Sequence, residues 1–275
     1  MKNNLIFWKM KLIRNDSRKN VIVFLIGFLL IIICVAGVGI YLKKANDEQQ
    51  AAEVERLKIK RTQDSITTFY VNAFTGIDLN QLPGVMREIE HSRLPFNMVG
   101  YTESEYTCIN KSCRFIYELS DSFVFSVIDK KFFNVSYEGS FSENTLNFEN
   151  LMINSDNSLL HKKMNKGEQI DAIKCSNLLN YIYGYNSVMD KSDRVKVVKL
   201  PYSTVESAEK QYPSYRDSYS LLIGEFEVQI PDIYSEAYFF AEKIPYKDFF
   251  IVQNIEKPVK TETDIILKGV FVCKK

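Results

Sequence analysis

Residues 21–42, VIVFLIGFLLIIICVAGVGIYL, are 22 consecutive positions without a charge, and no other feature of the chain limits its fold as severely. Wound as an α-helix, such a run covers about 33 Å at ~1.5 Å per residue. That is enough to cross a hydrocarbon core ~30 Å thick. The run therefore predicts a transmembrane helix. Only 20 residues precede it and 233 follow, so the bulk of the chain is expected on one side of a membrane.

Charge gives the expected orientation. The first 20 residues carry Lys2, Lys9, Lys11, Arg14, Arg18 and Lys19 against Asp16 alone. Positive flanks stay in the cytoplasm during insertion, which predicts a cytoplasmic tail over 1–20 and residues 43–275 outside. A cleaved secretory signal is the rival reading, but its apolar core is usually 7–15 residues long. A lipoprotein signal requires a small residue ahead of its cysteine, whereas Ile33 precedes Cys34. Beyond the tail lie 29 of the 35 basic and 33 of the 34 acidic residues, a balance near −4. Nucleic-acid binding is not expected of such a surface, because it calls for a strongly basic face.

Four cysteines lie outside the apolar run: Cys108, Cys113, Cys175 and Cys273. Cys108 and Cys113 flank a polar turn, Ile-Asn-Lys-Ser, between two strand-like runs. A disulfide there closes a short loop, and one between Cys175 and Cys273 closes a long one. Three pairings are open, and sequence does not choose among them. Zinc at Cys108 and Cys113 would need two further ligands. The histidines, His91 and His161, are isolated, and no metal or other cofactor is expected.

Residues 43–73 read as a helical stalk. From 45 onward they lack Gly and Pro and are rich in Ala, Glu, Gln, Lys and Arg. Val54, Leu57, Ile59, Ile66 and Phe69 form an apolar stripe suited to a partner helix, a short coiled coil rather than a sustained heptad repeat. A helix is expected over 79–92, with Pro83 in its first turn and His91 at its end, where a cation suits the helix dipole. Short aromatic and β-branched runs at 96–103, 105–110, 113–119, 122–128, 132–138 and 145–153 predict strands. Phe123, Phe125 and Val127 share one face. The polar break at 154–167 is the expected domain boundary.

After it come a helix over 168–189, with Ala172, Cys175, Leu179 and Ile182 on its core side, and a strand over 194–200. A Tyr-rich connection over 201–220 reads as too polar for a core. Its Tyr202, Tyr212, Tyr215 and Tyr219 are candidate docking residues, since exposed tyrosines are enriched at protein contacts. In the last 55 residues, Leu222, Gly224, Phe226, Val228 and Ile230 alternate with Glu225, Glu227 and Gln229, as in a half-buried strand. A helix opened by Pro231 carries Ile233, Ala237, Phe240, Ala241 and Ile244 as its apolar stripe. Pro245 closes it, and strands follow at 248–256 and 263–273.

The fold class expected is α+β: a transmembrane helix and helical stalk, then α/β sandwich domains of ferredoxin-like type with antiparallel sheets. Two such domains are expected, 74–153 and 168–275. No Gly-rich phosphate loop, GxSxG elbow or HExxH motif is present. The acidic pairs Glu103/Glu105 and Glu225/Glu227 read as solvated strand faces. No catalytic residue is assigned, and an enzyme is not expected. Asn110-Lys-Ser and Asn134-Val-Ser fit the N-glycosylation sequon and matter only in a host that glycosylates.

This layout resembles PilO-type inner-membrane alignment proteins of type IV pili. The local likeness lies in Gly224-Glu-Phe226, the helix with Phe239, and Ile244-Pro245, with Tyr246 where that family has Arg. The cysteines and the extra strands of 96–153 depart from a typical member and are similar to the type IVb, toxin-coregulated kind. The resemblance implies a single-pass protein of the bacterial inner membrane with its bulk in the periplasm. It also implies a non-catalytic scaffold that joins a PilN-like bitopic partner, the platform protein and secretin-associated components in homo- or hetero-oligomers. The rivals are a type IV secretion scaffold of the same layout and a membrane-tethered extracytoplasmic sensor or binding domain.

Overall fold

The computed structural model describes residues 3–120, 129–155, 157–164, 170–190, 193–212, 221–244, 246–259 and 263–275. Its first element is one helix, α1 (Asn3–Phe74), which contains the uncharged run and the expected stalk. The chain divides into two compact units, residues 1–63 and 64–275. In the first, every described side chain from Leu25 to Leu42 except Gly27 is largely exposed, and Lys44 pairs with Glu48 one turn on at 4.0 Å.

The second unit is built on a single antiparallel sheet. Its strands are β1 (Ile77–Asp78), β2 (Tyr101–Ile109), β3 (Ser112–Leu119), β6 (Ser140–Ser142), β7 (Thr145–Met152), β8 (Lys196–Tyr202), β9 (Leu221–Pro231), β10 (Phe250–Lys257) and β11 (Asp264–Lys274). A separate hairpin is formed by β4 (Asp129–Phe132) and β5 (Val135–Glu138). The sheet runs in the order β6-β7-β3-β2-β10-β11-β9-β8, with β1 also on β10. The pairing of β9 with β11 is unbroken from Leu221–Lys274 to Pro231–Asp264. At Gly224 that register is obligatory. An added Cβ would stand 2.1 Å from the ring of Phe271, its cross-strand partner.

Tight turns explain the first hairpins. Asn110 and Lys111 take φ of 48° and 74°, and Phe133 and Asn134 take 47° and 62°. Positive φ at both central residues lets a two-residue turn follow the strands' right-handed twist. The two sequons thus lie at hairpin tips.

Helices α2 (Leu82–Met98), α4 (Cys175–Val188) and α6 (Tyr234–Lys243) cover one sheet face. Their buried residues, among them Met86, Phe96, Leu178, Ile182, Ala237 and Phe240, share a core with Phe226, Leu267, Phe271, Phe115 and Phe148 of the strands. A second, smaller core forms against alternate strand residues Leu221, Ile223, Ile251, Val270 and Val272. It receives Ile66, Tyr70, Ala73 and Phe74 from the last turns of α1, with Leu159 of α3 (Ser158–Met164) and Val205, which precedes α5 (Glu206–Gln211).

Several expectations are corrected. The break at 154–167 does not separate two sheets, because Tyr106–Ile109 of β2 pair with Lys257–Asn254 of β10 and continue the C-terminal sheet. An open edge on β10 offers unpaired N–H and C=O groups, and β2 takes them. The stalk ends early, since Ile66, Tyr70 and Phe74 are fully buried in the second unit. Helix α2 runs to Met98, past Pro95, so His91 lies in mid-helix instead of at an end. Helix α4 begins only at Cys175. Ahead of it, Ile173 accepts a hydrogen bond from the Lys274 N–H and Ala172 enters the second core. Within 201–220, Val205 and Glu209 are buried. Phe123, Phe125, Val127, Tyr215, Tyr219 and Pro245 lie outside the described residues.

Candidate functional site

The densest chemistry among the described residues is internal. Arg93 projects from the last half of α2, Glu103 from β2, Asp232 from the residue after β9, and Lys257 from the end of β10. The Arg93 guanidinium lies 3.1 Å from Glu103 and 3.0 Å from Asp232. The Lys257 ammonium lies 3.6 Å from Glu103 and 3.2 Å from Asp232. Side-chain exposure is 3–4% for the acids and 12–15% for the bases, so water screens these pairs little. Tyr106 donates its hydroxyl proton to Asp232 Oδ1 at 2.9 Å. Burial works against the Arg93 charge, yet Glu103 and Asp232 beside it hold its pKa above the ordinary value. For Glu103 burial dominates and raises the carboxyl, with Arg93 and then Lys257 pulling it back.

A second layer extends from Glu103. Tyr117 donates to Glu103 Oε2 at 3.2 Å and accepts from Lys130 Nζ at 2.6 Å. Lys130 comes from β4 and has no exposed surface. Its Nζ also donates to the Ser92 carbonyl at 3.0 Å and stands 4.3 Å from the ring centre of Phe115. Burial lowers its pKa to about 7 against the pull of Glu103. Burial also raises Tyr106 and Tyr117, each of which faces a carboxylate, so both stay neutral.

Such an arrangement joins parts of the fold. It ties α2 and β2 to the β9–α6 connection and the end of β10, and Glu90 adds an acceptor for the Tyr234 N–H at 2.6 Å, the first N–H of α6. The four outer charges neutralise one another in pairs. Among the described residues no group of three His, Cys, Asp or Glu is placed to hold a metal. One depression, of about 450 Å³, lies on the sheet face turned away from α2, α4 and α6 and is lined by Glu105, Ile109, Arg114 and Glu149.

The sequence candidates fall in different places. Cys108 bonds Cys113 directly across the β2–β3 hairpin, and Cys175 bonds Cys273, fixing the start of α4 to the end of β11. Of the stalk stripe, Val54 and Leu57 are exposed at 65% and 47%, whereas Ile66 is fully buried and Phe69 packs against the second core. Tyr212 also packs there and is half-buried. Phe239 is exposed, Ile244 is buried, and Tyr246 meets Tyr181 edge-on at 5.8 Å. Glu225 and Glu227 are half-exposed and pair with Lys199 and Lys196, as a solvated face would.

Glu103 overturns its reading. A register shift between Glu103 and Glu105 breaks the alternation and turns Glu103 inward. Sequence reading missed Arg93, Asp232, Lys257 and Lys130 as well. The one signal available was Lys130 beside Phe132, two inward positions of a short alternating strand. Comparison of the chain with family models, with curated proteins and with solved structures finds no match.

Proposed function

We propose that the chain is a non-catalytic bitopic scaffold of the bacterial inner membrane, a PilO-like member of a type IV pilus machine. In this reading α1 crosses the membrane through residues 21–42, residues 1–20 are cytoplasmic, and the second unit is periplasmic. The observation that carries it is the strand order of the C-terminal elements. The run α4, β8, α5, β9, α6, β10, β11 has the strand order β10-β11-β9-β8, with α4 and α6 buried in the larger core and the short α5 beside the second one. A ferredoxin-like βαββαβ chain with its first strand moved to the end has this strand order, with its two helices on one face as α4 and α6 are. The internal charge cluster supports the same reading, since it stiffens the unit by joining α2 and β2 to the β9–α6 connection and the end of β10.

Partner contact is assigned to the exposed Val54 and Leu57 of α1 and to β8, which among the described residues is an edge strand and offers main-chain groups to another strand. The test is crosslinking in native membranes, purification of the full chain and identification of what accompanies it. Recovery of another bitopic protein with a pilus platform component is expected. Recovery of the chain alone, or with a cytoplasmic signalling protein only, would sink the proposal. Deletion of residues 45–61, which spares Ile66 and Tyr70, should remove the partner and leave the second unit folded.

A further inference from the structure

Among the described residues the β4–β5 hairpin is bonded to no other strand, and two side chains of β4 enter the core: Phe132 and Lys130, both fully buried. Phe132 is an ordinary core residue, edge-on to Phe115 at 5.5 Å. Lys130 is not ordinary. A leucine or methionine would fill the same space, between Phe96, Phe115 and Tyr117, without bringing a titratable group inside. Phe133 and Tyr137 pack half-buried at the rim of the same core, and two polar ties add to them: the Phe133 N–H donates to Glu88, and the Met152 N–H donates to the Tyr137 hydroxyl.

Charge counting shows what the lysine does. Glu103 and Asp232 supply two negative charges, and Arg93 and Lys257 supply two positive ones. A protonated Lys130 would be a fifth charge in the interior, where a charge without a direct ion pair is strongly disfavoured. It reaches Glu103 only through the Tyr117 hydroxyl, and its two acceptors, Tyr117 Oη and Ser92 O, are both neutral. Glu88 on α2, which accepts the Phe133 N–H, also favours the protonated form, as Glu103 does, but burial outweighs both acids. On β7 the one ionisable residue, Glu149, is exposed and pairs with Arg114. An unprotonated amine fits this setting, donating to both acceptors and turning its remaining side to the Phe115 ring.

We propose that the β4–β5 hairpin is a proton-controlled strap, which closes over α2 and β3 when Lys130 enters its aromatic cage without its proton and loosens when the proton returns. The sign follows from linkage. Released into water, Lys130 titrates near its ordinary 10.5, while in the cage burial brings it to about 7. Docking therefore weakens about tenfold for each pH unit lost between those values and levels off below the lower one.

Hydrogen exchange of the full-length protein in detergent, corrected for intrinsic rates, tests this over pH 7–9. Protection of the amides of residues 130–138 should rise about tenfold per pH unit, while Lys130→Met should remove the slope and keep the hairpin protected. Lys257→Met deletes one of the paired cations and should flatten the slope too, because Lys130 then becomes the second cation. That variant keeps the test open if Lys130→Met fails to fold. Wild-type protection that is constant over pH 7–9, or a slope that survives in both variants, would overturn the proposal. So would exchange of the hairpin at the rate of the β11 amides, since the hairpin would then open only with the whole unit.

Discussion

Asp232 is the residue on which the internal cluster depends most. It takes an ion pair from Arg93, another from Lys257 and the hydroxyl proton of Tyr106. Asp232→Ala leaves two buried cations facing only Glu103, and breaking a buried pair from one side costs about 3–5 kcal/mol. Glu256→Gln, which cuts an ion pair to Lys268 at 34–42% side-chain exposure, should cost less than about 1 kcal/mol. Urea unfolding followed by the near-ultraviolet circular dichroism of the buried tyrosines, among them Tyr106 and Tyr117, measures both. Equal losses would mean that the cluster is no better coupled than a surface pair. Gly269 gives a sharper steric case. A Cβ there would lie 2.0 Å from the Ile251 carbonyl oxygen, and a backbone group cannot swing aside as a side chain can. Gly269→Ala should cost at least about 2 kcal/mol.

Among the elements, the two disulfides act on loops of very different length. Cys108–Cys113 spans 5 positions inside one hairpin, and Cys175–Cys273 spans 98 and joins α4 to the last strand. In the chain-entropy account the short loop contributes about 2 kcal/mol and the long one about 4–5 kcal/mol. The double variants Cys108→Ala/Cys113→Ala and Cys175→Ala/Cys273→Ala should therefore differ in urea stability in that order. The reverse order would show that the hairpin bond acts on the native state. Most elements were legible, because alternation along β9 and the polar turn at 110–111 are local properties, whereas the turn at Phe133–Asn134 divides what reads as one strand over 132–138. The bulge at Glu103/Glu105 was not, since one extra residue reverses every inward assignment beyond it. The early end of the stalk was equally hidden. Ile66 and Phe69 continue the spacing of Val54 and Leu57, and only the presence of Leu159 and Val205 opposite them tells core from surface.

For the whole molecule, the uncharged run and the second unit make separable predictions. The full chain should remain in the membrane pellet after carbonate extraction, and deletion of 21–42 should release it. Release of the intact chain would remove the bitopic reading. At this scale the sequence suggested two domains where there is one sheet of nine strands. Pairing of β2 with β10 joins residues nearly 150 positions apart, and no local pattern carries that distance.

Sequence alone determined the apolar run, the helical character that follows it, the alternating strands of the C-terminal part and the supply of cysteines. Each of these depends on neighbours within a few positions, where periodicity and side-chain chemistry act directly. Tertiary structure decided which cysteines meet, where the stalk becomes core, and that one sheet spans the unit. It also decided that Arg93, Glu103, Asp232 and Lys257 neutralise one another while Lys130 stands beside them, hydrogen-bonded only to Tyr117 and the Ser92 carbonyl. These outcomes depend on which distant edges and faces come together, and the same residues in another register would have been ordinary surface charges.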